Sequence, residues 1–249
     1  MQLNDPIKYR EYIGTCIDSM RLIRAHSREP MTFHELMARR VEVLGSDSGV
    51  YDSWWDNDFS TDDAIAFHPD GKIKVVRDSA RLKGITADCK LENGFMALED
   101  GEYESFDGLE MTLFRLERKY GLNRQLSKDE ALKHPIWNYL ARDDEIFSAY
   151  AEIMFTKAVV QLQNAGNMGF FFYEYTESPS ISMVRMNNFY GRSTLIAERL
   201  DKKSSRMVGV VESPLLITQS LKRLILCSEG VKRELQMCSH EDMLKKIIK

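Results

Sequence analysis

No apolar run in this 249-residue chain is long enough to cross a bilayer. The most apolar stretch, 146–162, is broken by Glu152 and Lys157, whereas a spanning helix needs about 20 mostly apolar residues. No secretory leader is expected either, because Asp5, Lys8, Arg10, Glu11 and Asp18 charge the first twenty residues throughout. Cysteine is scarce. Four thiols at 16, 89, 227 and 238 are scattered through apolar patterns and read as reduced. The expectation is an intracellular, cytoplasmic protein with no membrane attachment. Positive charge is also short: a net charge of −4 and a pI near 5.8 argue against a general nucleic-acid coat or a polybasic membrane binder. Nucleic acid as a partner is therefore unsupported by net charge. Gly-rich phosphate loops, the Gly-x-Ser-x-Gly elbow and His-Glu-x-x-His are absent, which removes three common catalytic motifs.

What the chain does have is a segment of unusual composition. Residues 46–63 hold six aspartates (47, 52, 56, 58, 62 and 63) and four aromatics, Tyr51, Trp54, Trp55 and Phe59, with no lysine or arginine. Six like charges without an internal counter-charge need a neighbour, and adjacent tryptophans are large apolar groups for a solvated loop. Read as a loop, the segment offers Tyr51, Trp54, Trp55, Asp56, Asp58 and Phe59 as a protein-contact surface, since tryptophan and tyrosine dominate binding hot spots. A sugar platform built from the tryptophan faces is another reading. A plainer account packs Trp54 and Trp55 onto the chain's own core and leaves the aspartates to water and helix caps.

The same segment admits a cation site, calcium or magnesium, through Asp56, Asp58 and Asp62, because hard cations take several oxygen ligands. Asp56, Asp58 and Ser60 are spaced as at the start of an EF-hand loop. Thr61 stands where that loop requires glycine, however, and Phe67 where it requires a bidentate glutamate, so the EF-hand reading fails. No cofactor is expected in the leading reading.

A second constellation is Pro69-Asp70 followed by Asp88-Cys89-Lys90, which resembles the sparse pattern of the PD-(D/E)xK nucleases. The resemblance implies that Asp70 and Asp88 on neighbouring strands hold Mg²⁺ while Lys90 positions the attacking water, with Glu35 or Glu42 completing the ligand set. Pro69-Asp70-Gly71 is equally explained as a hairpin turn. Cys227, Cys238 and His240 have the wrong spacing for a zinc pair. Arg39-Arg40, Lys202-Lys203 and Lys245-Lys246 read as solvated faces, of which the first two could meet the acidic segment.

Helical spacing over 5–27 and a capping box at Thr32–Glu35 predict an N-terminal helix pair, the second ending at Gly45. Strand patterns at 64–68 and 72–77 flank a turn, with further strands at 84–90 and 94–98. A second capping box, Ser127–Glu130, opens a helical region that Pro135 divides and that runs to about Gln163. The aromatic run 170–175 suits a central strand, 193–200 and 206–211 suit a hairpin, and helical spacing returns from Pro214 to the end. The expected class is α+β, with an N-terminal helix pair, two antiparallel strand-rich sections separated by a helical region, and C-terminal helices. One unit, 1–249, is expected. The alternative boundary lies at 120–127, giving a helix pair plus β-meander over 1–120 and helices plus β-hairpins plus C-terminal helices over 127–249. The leading function is a binding or assembly protein, leaning away from an enzyme, whose partner is another protein or a second copy through 46–63. A Mg²⁺-dependent nuclease is the alternative, and a DNA-binding regulator through the N-terminal helices is a third.

Overall fold

The computed structural model describes residues 5–161, 168–172, 177–189 and 192–211. These belong to one compact unit, Met1–Glu212; a second unit, Ser213–Lys249, lies outside the described residues. The expected C-terminal helices, together with Cys227, Cys238 and His240, fall in that second unit.

The chain opens with strand β1 (Tyr9–Gly14), helix α1 (Cys16–Ala25), β2 (Glu29–Pro30) and α2 (Phe33–Glu42). A short 3-10 turn, Val43–Gly45, leads to α3 (Ser48–Trp55), β3 (Phe59–Phe67), β4 (Lys72–Val76), α4 (Ala80–Lys83), β5 (Leu91–Glu92) and β6 (Phe95–Ala97). Next come α5 (Glu102–Ser105), β7 (Leu109–Thr112), α6 (Leu113–Tyr120), β8 (Arg124–Leu126), α7 (Lys128–Lys133), α8 (Pro135–Ala141) and α9 (Asp144–Gln161). Four strands complete the described part: β9 (Met168–Phe171), β10 (Ser180–Phe189), β11 (Arg192–Glu198) and β12 (Ser205–Val210). The α+β class is as expected. The described strands form one twelve-stranded mixed sheet rather than two separate sections.

Its main path runs β1-β12-β3-β10-β11-β9-β8, with β4 and then β7 extending from β3, and β6 and β5 from β10. The first and last described strands pair antiparallel, Tyr9 opposite Val210 through to Gly14 opposite Ser205. Parallel pairing occurs twice, β11 with β9 and β12 with β3.

Strand β3 is buried at all nine positions, because helices and crossing segments cover both faces of the sheet. On one face Cys16, Met20 and Ile23 of α1 pack on Ala64, Ala66, Ile181 and Met183. On the other, Tyr150 of α9 reaches Met186 and Ser193. Alternate strand residues thus feed two cores, each fully buried large side chain contributing about 1.5–3 kcal/mol.

Four sequence expectations change. Residues 9–14 are a strand, not the first turns of a helix: Thr15 accepts from the Asp18 amide and caps α1 only from Cys16. The stretch 84–90 is turn and coil, beginning where Gly84 ends α4. The strands at 192–198 and 205–210 do not pair with one another, since β3 and β10 lie between them. Instead β11 forms a hairpin with β10. Finally, 46–63 is not a loop, being helix α3 and the first half of β3. Both capping boxes, the 67–72 hairpin and the break at Pro135 are as read.

Candidate functional site

The acidic-aromatic segment folds inward. Asp47 caps α3 by accepting from the Val50 amide at 3.0 Å. The helix carries Trp54 and Trp55 into the interior, 0% and 3% exposed. Trp54 meets Tyr9 edge-on at 5.2 Å and Phe59 at 5.5 Å, while the Arg39 guanidinium covers it at 5.4 Å. Trp55 stacks between Tyr51 at 5.9 Å and Tyr150 at 5.7 Å.

Arg40 is the clasp. Its wholly buried guanidinium donates to the carbonyls of Trp54 at 2.9 Å and Asn57 at 2.7 Å and to the Tyr150 hydroxyl at 3.1 Å. Trp55 Nε1 returns a hydrogen bond to the Arg40 carbonyl at 2.9 Å. A buried cation held by three neutral acceptors would cost several kcal/mol if any were lost. The contact-surface expectation for Trp54, Trp55 and Phe59 is therefore corrected, because a partner cannot reach side chains that are core. Tyr51, Asp56 and Asp58 lie at the rim, with Asp56 exposed. The same burial removes Arg39 and Arg40 as a DNA-reading face.

Three of the six aspartates, Asp58, Asp62 and Asp63, meet cations inside the chain, while Asp47, Asp52 and Asp56 are exposed. Asp58 pairs with Arg185 of β10, which also grips Glu198 of β11. Glu198, itself buried, further accepts from Ser60 and meets Lys202 at 3.0 Å. This network ties β3, β10 and β11 together. Cys16 lies against it, its thiol 3.9 Å from the Ser60 hydroxyl; burial first, and then the Glu198 charge, push it up to about 12.

The most unusual chemistry is the tandem pair Asp62 and Asp63, both with no solvent exposure. Pairing of β3 with β10 runs in register from Phe67 to Ala64, then resumes at Ser60 with a shift at Met183/Arg185. Residues 61–63 form the irregularity, and a bulge of this kind re-aims side chains that strict alternation would send to opposite faces. Asp63 is fully served: the Phe33 amide donates at 2.6 Å, the Asp78 amide at 2.9 Å and Arg142 at 2.9 Å. No N–H group donates a hydrogen bond to either oxygen of Asp62, whose carboxyl instead meets that of Asp78. The nearest cation is Lys83, 3.4 Å from Asp62, 2.6 Å from Asp78 and 3.1 Å from Glu29. Burial, then the neighbouring Asp63 charge, raise the Asp62 carboxyl well above the usual range, against the pull of Lys83. Burial raises Asp63 as well, and Arg142 with the two amides opposes it. Asp62 therefore holds the proton of the pair.

The nuclease residues do not converge. Asp70 sits in the exposed turn after β3, paired with Lys72 and His68 at 2.7 Å each, which hold it down to about 2. Asp88 lies in an exposed turn rather than on a strand, Lys90 pairs with Glu92 at 2.7 Å, and Glu35 is consumed in the α2 capping box. Glu42 pairs with Arg39 at 2.8 Å. Among the described residues no group of three or more His, Cys, Asp or Glu side chains is placed to hold a metal ion, and this includes Asp56, Asp58 and Asp62.

Sequence reasoning missed Lys83, Arg142, Arg185, Glu198 and His134. His134 is buried between Tyr120 at 4.7 Å and Phe170 at 4.9 Å, with neither ring nitrogen hydrogen-bonded. Two signals are legible: two adjacent aspartates inside the otherwise apolar and small run Phe59–Phe67, and a single arginine within the mostly apolar run 181–186.

No family model and no curated protein matches the sequence. One solved structure does resemble the chain, with a TM-score of 0.63 over 84% of this chain and 100% of its own, at 15% identity. It is described in the words "Accommodation of massive sequence variation in Nanoarchaeota by the C-type lectin fold". The described unit has a C-type lectin fold. At this identity the likeness concerns architecture alone. No helix among the described residues is long and apolar enough to cross a membrane.

Proposed function

We propose that this chain is a binding protein, a C-type lectin fold whose interior is fixed by its own ion pairs and whose exposed surface recognises another macromolecule. The observation that carries the reading is the structural likeness to a chain whose fold is described as accommodating massive sequence variation. A fold of that kind separates a load of fixed core residues from an outer surface free to specialise. The charge distribution supports the same division. Asp58, Arg185 and Glu198 are spent on holding strands together, Asp63 is spent on Arg142, and Trp54, Trp55 and Phe59 are core rather than contact surface.

The test is direct recognition. The purified chain is labelled and applied to arrays of folded proteins and of glycans, and any hit is titrated by calorimetry. Saturable one-site binding, abolished by substitutions of exposed residues that leave the melting temperature unchanged, supports the reading. Absence of saturable binding across both arrays overturns it.

A further inference from the structure

The exposed side of the run from the turn before α5, through β7, to α6 carries a charge pattern that matches itself. From Glu99 to Glu110 the chain has six acidic residues and no basic one, and from Arg115 to Lys119 it has three basic residues and one acidic. Glu99, Asp100, Glu104 and Asp107 on the first side are exposed and make no ion pair among the described residues; so are Arg115 and Arg118 on the second. At the seam stands Phe114, 70% exposed. Its helix turns Leu113, Leu116 and Tyr120 inward, so Phe114 cannot share that core. The helix start is held by Thr112, which accepts from the Arg115 amide at 3.2 Å, and by Leu113, whose amide donates to the Gly71 carbonyl at 2.9 Å. Phe114 is thus presented on a fixed element. Beside it, β7 pairs with β4 on one side, and no other described strand takes its second side.

We infer that this face is the contact between two copies of the chain, related by a two-fold axis at Phe114. In such an interface residue i meets j while j meets i, so an acidic half beside a basic half is complementary to itself when rotated. Glu104 and Asp107 of one copy then face Arg115 and Arg118 of the other, and the two Phe114 rings bury each other at the centre, where aromatic anchors dominate. Charge pairs at the rim steer the copies and fix their register. This contact is separate from the partner-binding reading and is measured on the purified chain alone, so either can fail without the other.

Sedimentation of the full chain over a concentration series, at about 50 mM and about 500 mM NaCl, reads the association and its screening. The expected result is a dimer that weakens with salt. Phe114→Ser raises the dissociation constant on the order of thirtyfold. Glu104→Lys/Asp107→Lys and Arg115→Glu/Arg118→Glu each raise it roughly tenfold or more, and mixing these two variants restores a heterodimer. Both charge-swapped variants alter exposed side chains only, so they read the interface even where Phe114→Ser fails to fold. A wild-type chain that stays monomeric throughout, a dimer indifferent to Phe114→Ser, or charge-swapped variants that do not pair overturns the inference.

Discussion

Asp62 and Asp63 share one bulge and equal burial, yet three N–H donors serve Asp63 and none serves Asp62. Adjacent carboxylates in a low-dielectric interior cannot both ionise cheaply. The proton therefore rests on the member without donors, and ionisation on the member that three N–H groups stabilise.

The first prediction follows from the sign of that arrangement. The Asp62 carboxyl titrates higher in the folded chain than at its ordinary 3.8, so the folded state binds more protons between the two values. Its contribution is fully present below 3.8 and is lost as pH rises through the folded value. Asp62→Asn, which is neutral at every pH, removes this loss and makes the chain more stable than wild type at alkaline pH. Asp63→Asn acts oppositely by taking the charged acceptor from Arg142 and from the Phe33 and Asp78 amides, costing about 1–3 kcal/mol. Urea unfolding from pH 4 to 9 checks both. An unchanged pH slope in Asp62→Asn would show that the proton sits elsewhere.

His134 carries the reverse sign. Burial drives its imidazole down to about 3 from 6.5, so the unfolded chain takes up a proton that the folded chain refuses. Stability is lost as pH falls below 6.5 and continues to fall until about 3. A shift of this size corresponds to a few kcal/mol. His134→Phe retains the ring between Tyr120 and Phe170 and has nothing to protonate, so its acid-unfolding midpoint moves to lower pH. A midpoint that does not move rules out His134 as a source of acid sensitivity.

How much of this was legible in the sequence depends on the range of the interaction. Thr32–Glu35, Ser127–Glu130, Pro135 and the Pro69–Gly71 turn were read correctly because each is a local device closed within four residues. Tyr9–Gly14 was misread as helix because its partner β12 lies some two hundred residues later, and pairing overrode a weak local pattern. The segment 46–63 was misjudged for the same reason: its lack of positive charge was real, but Arg40, Arg142 and Arg185 supply the counter-charge and the donors from other elements. Composition identified a demand for a neighbour, and only the fold could show that the neighbour is the chain itself.

Replacing the tryptophans tests that conclusion. Trp54→Ala and Trp55→Ala each empty a buried site and cost about 3–5 kcal/mol, whereas Asp52→Asn and Asp56→Asn, at exposed positions of the same segment, stay within about 0.5 kcal/mol of wild type. Chemical denaturation followed by far-UV circular dichroism measures all four. Tryptophan variants as stable as wild type would return the segment to the surface.

Cys16 gives a reporter for the opening of the sheet. Its thiol is wholly buried, contacts the Ser60 hydroxyl and the Arg199 carbonyl, and is pushed up to about 12. Thiolate is the reactive form, so an aromatic disulfide reagent modifies Cys16 at neutral pH only when α1 leaves the sheet. Its labelling rate, followed by peptide mass spectrometry, then tracks the urea-dependent population of the unfolded chain. Glu198→Gln weakens the hold of Arg185 on β11 and speeds the labelling by the same factor as it raises that population. Labelling of Cys16 at a rate independent of urea would mean that α1 detaches alone, without opening the Arg185–Glu198 network behind it.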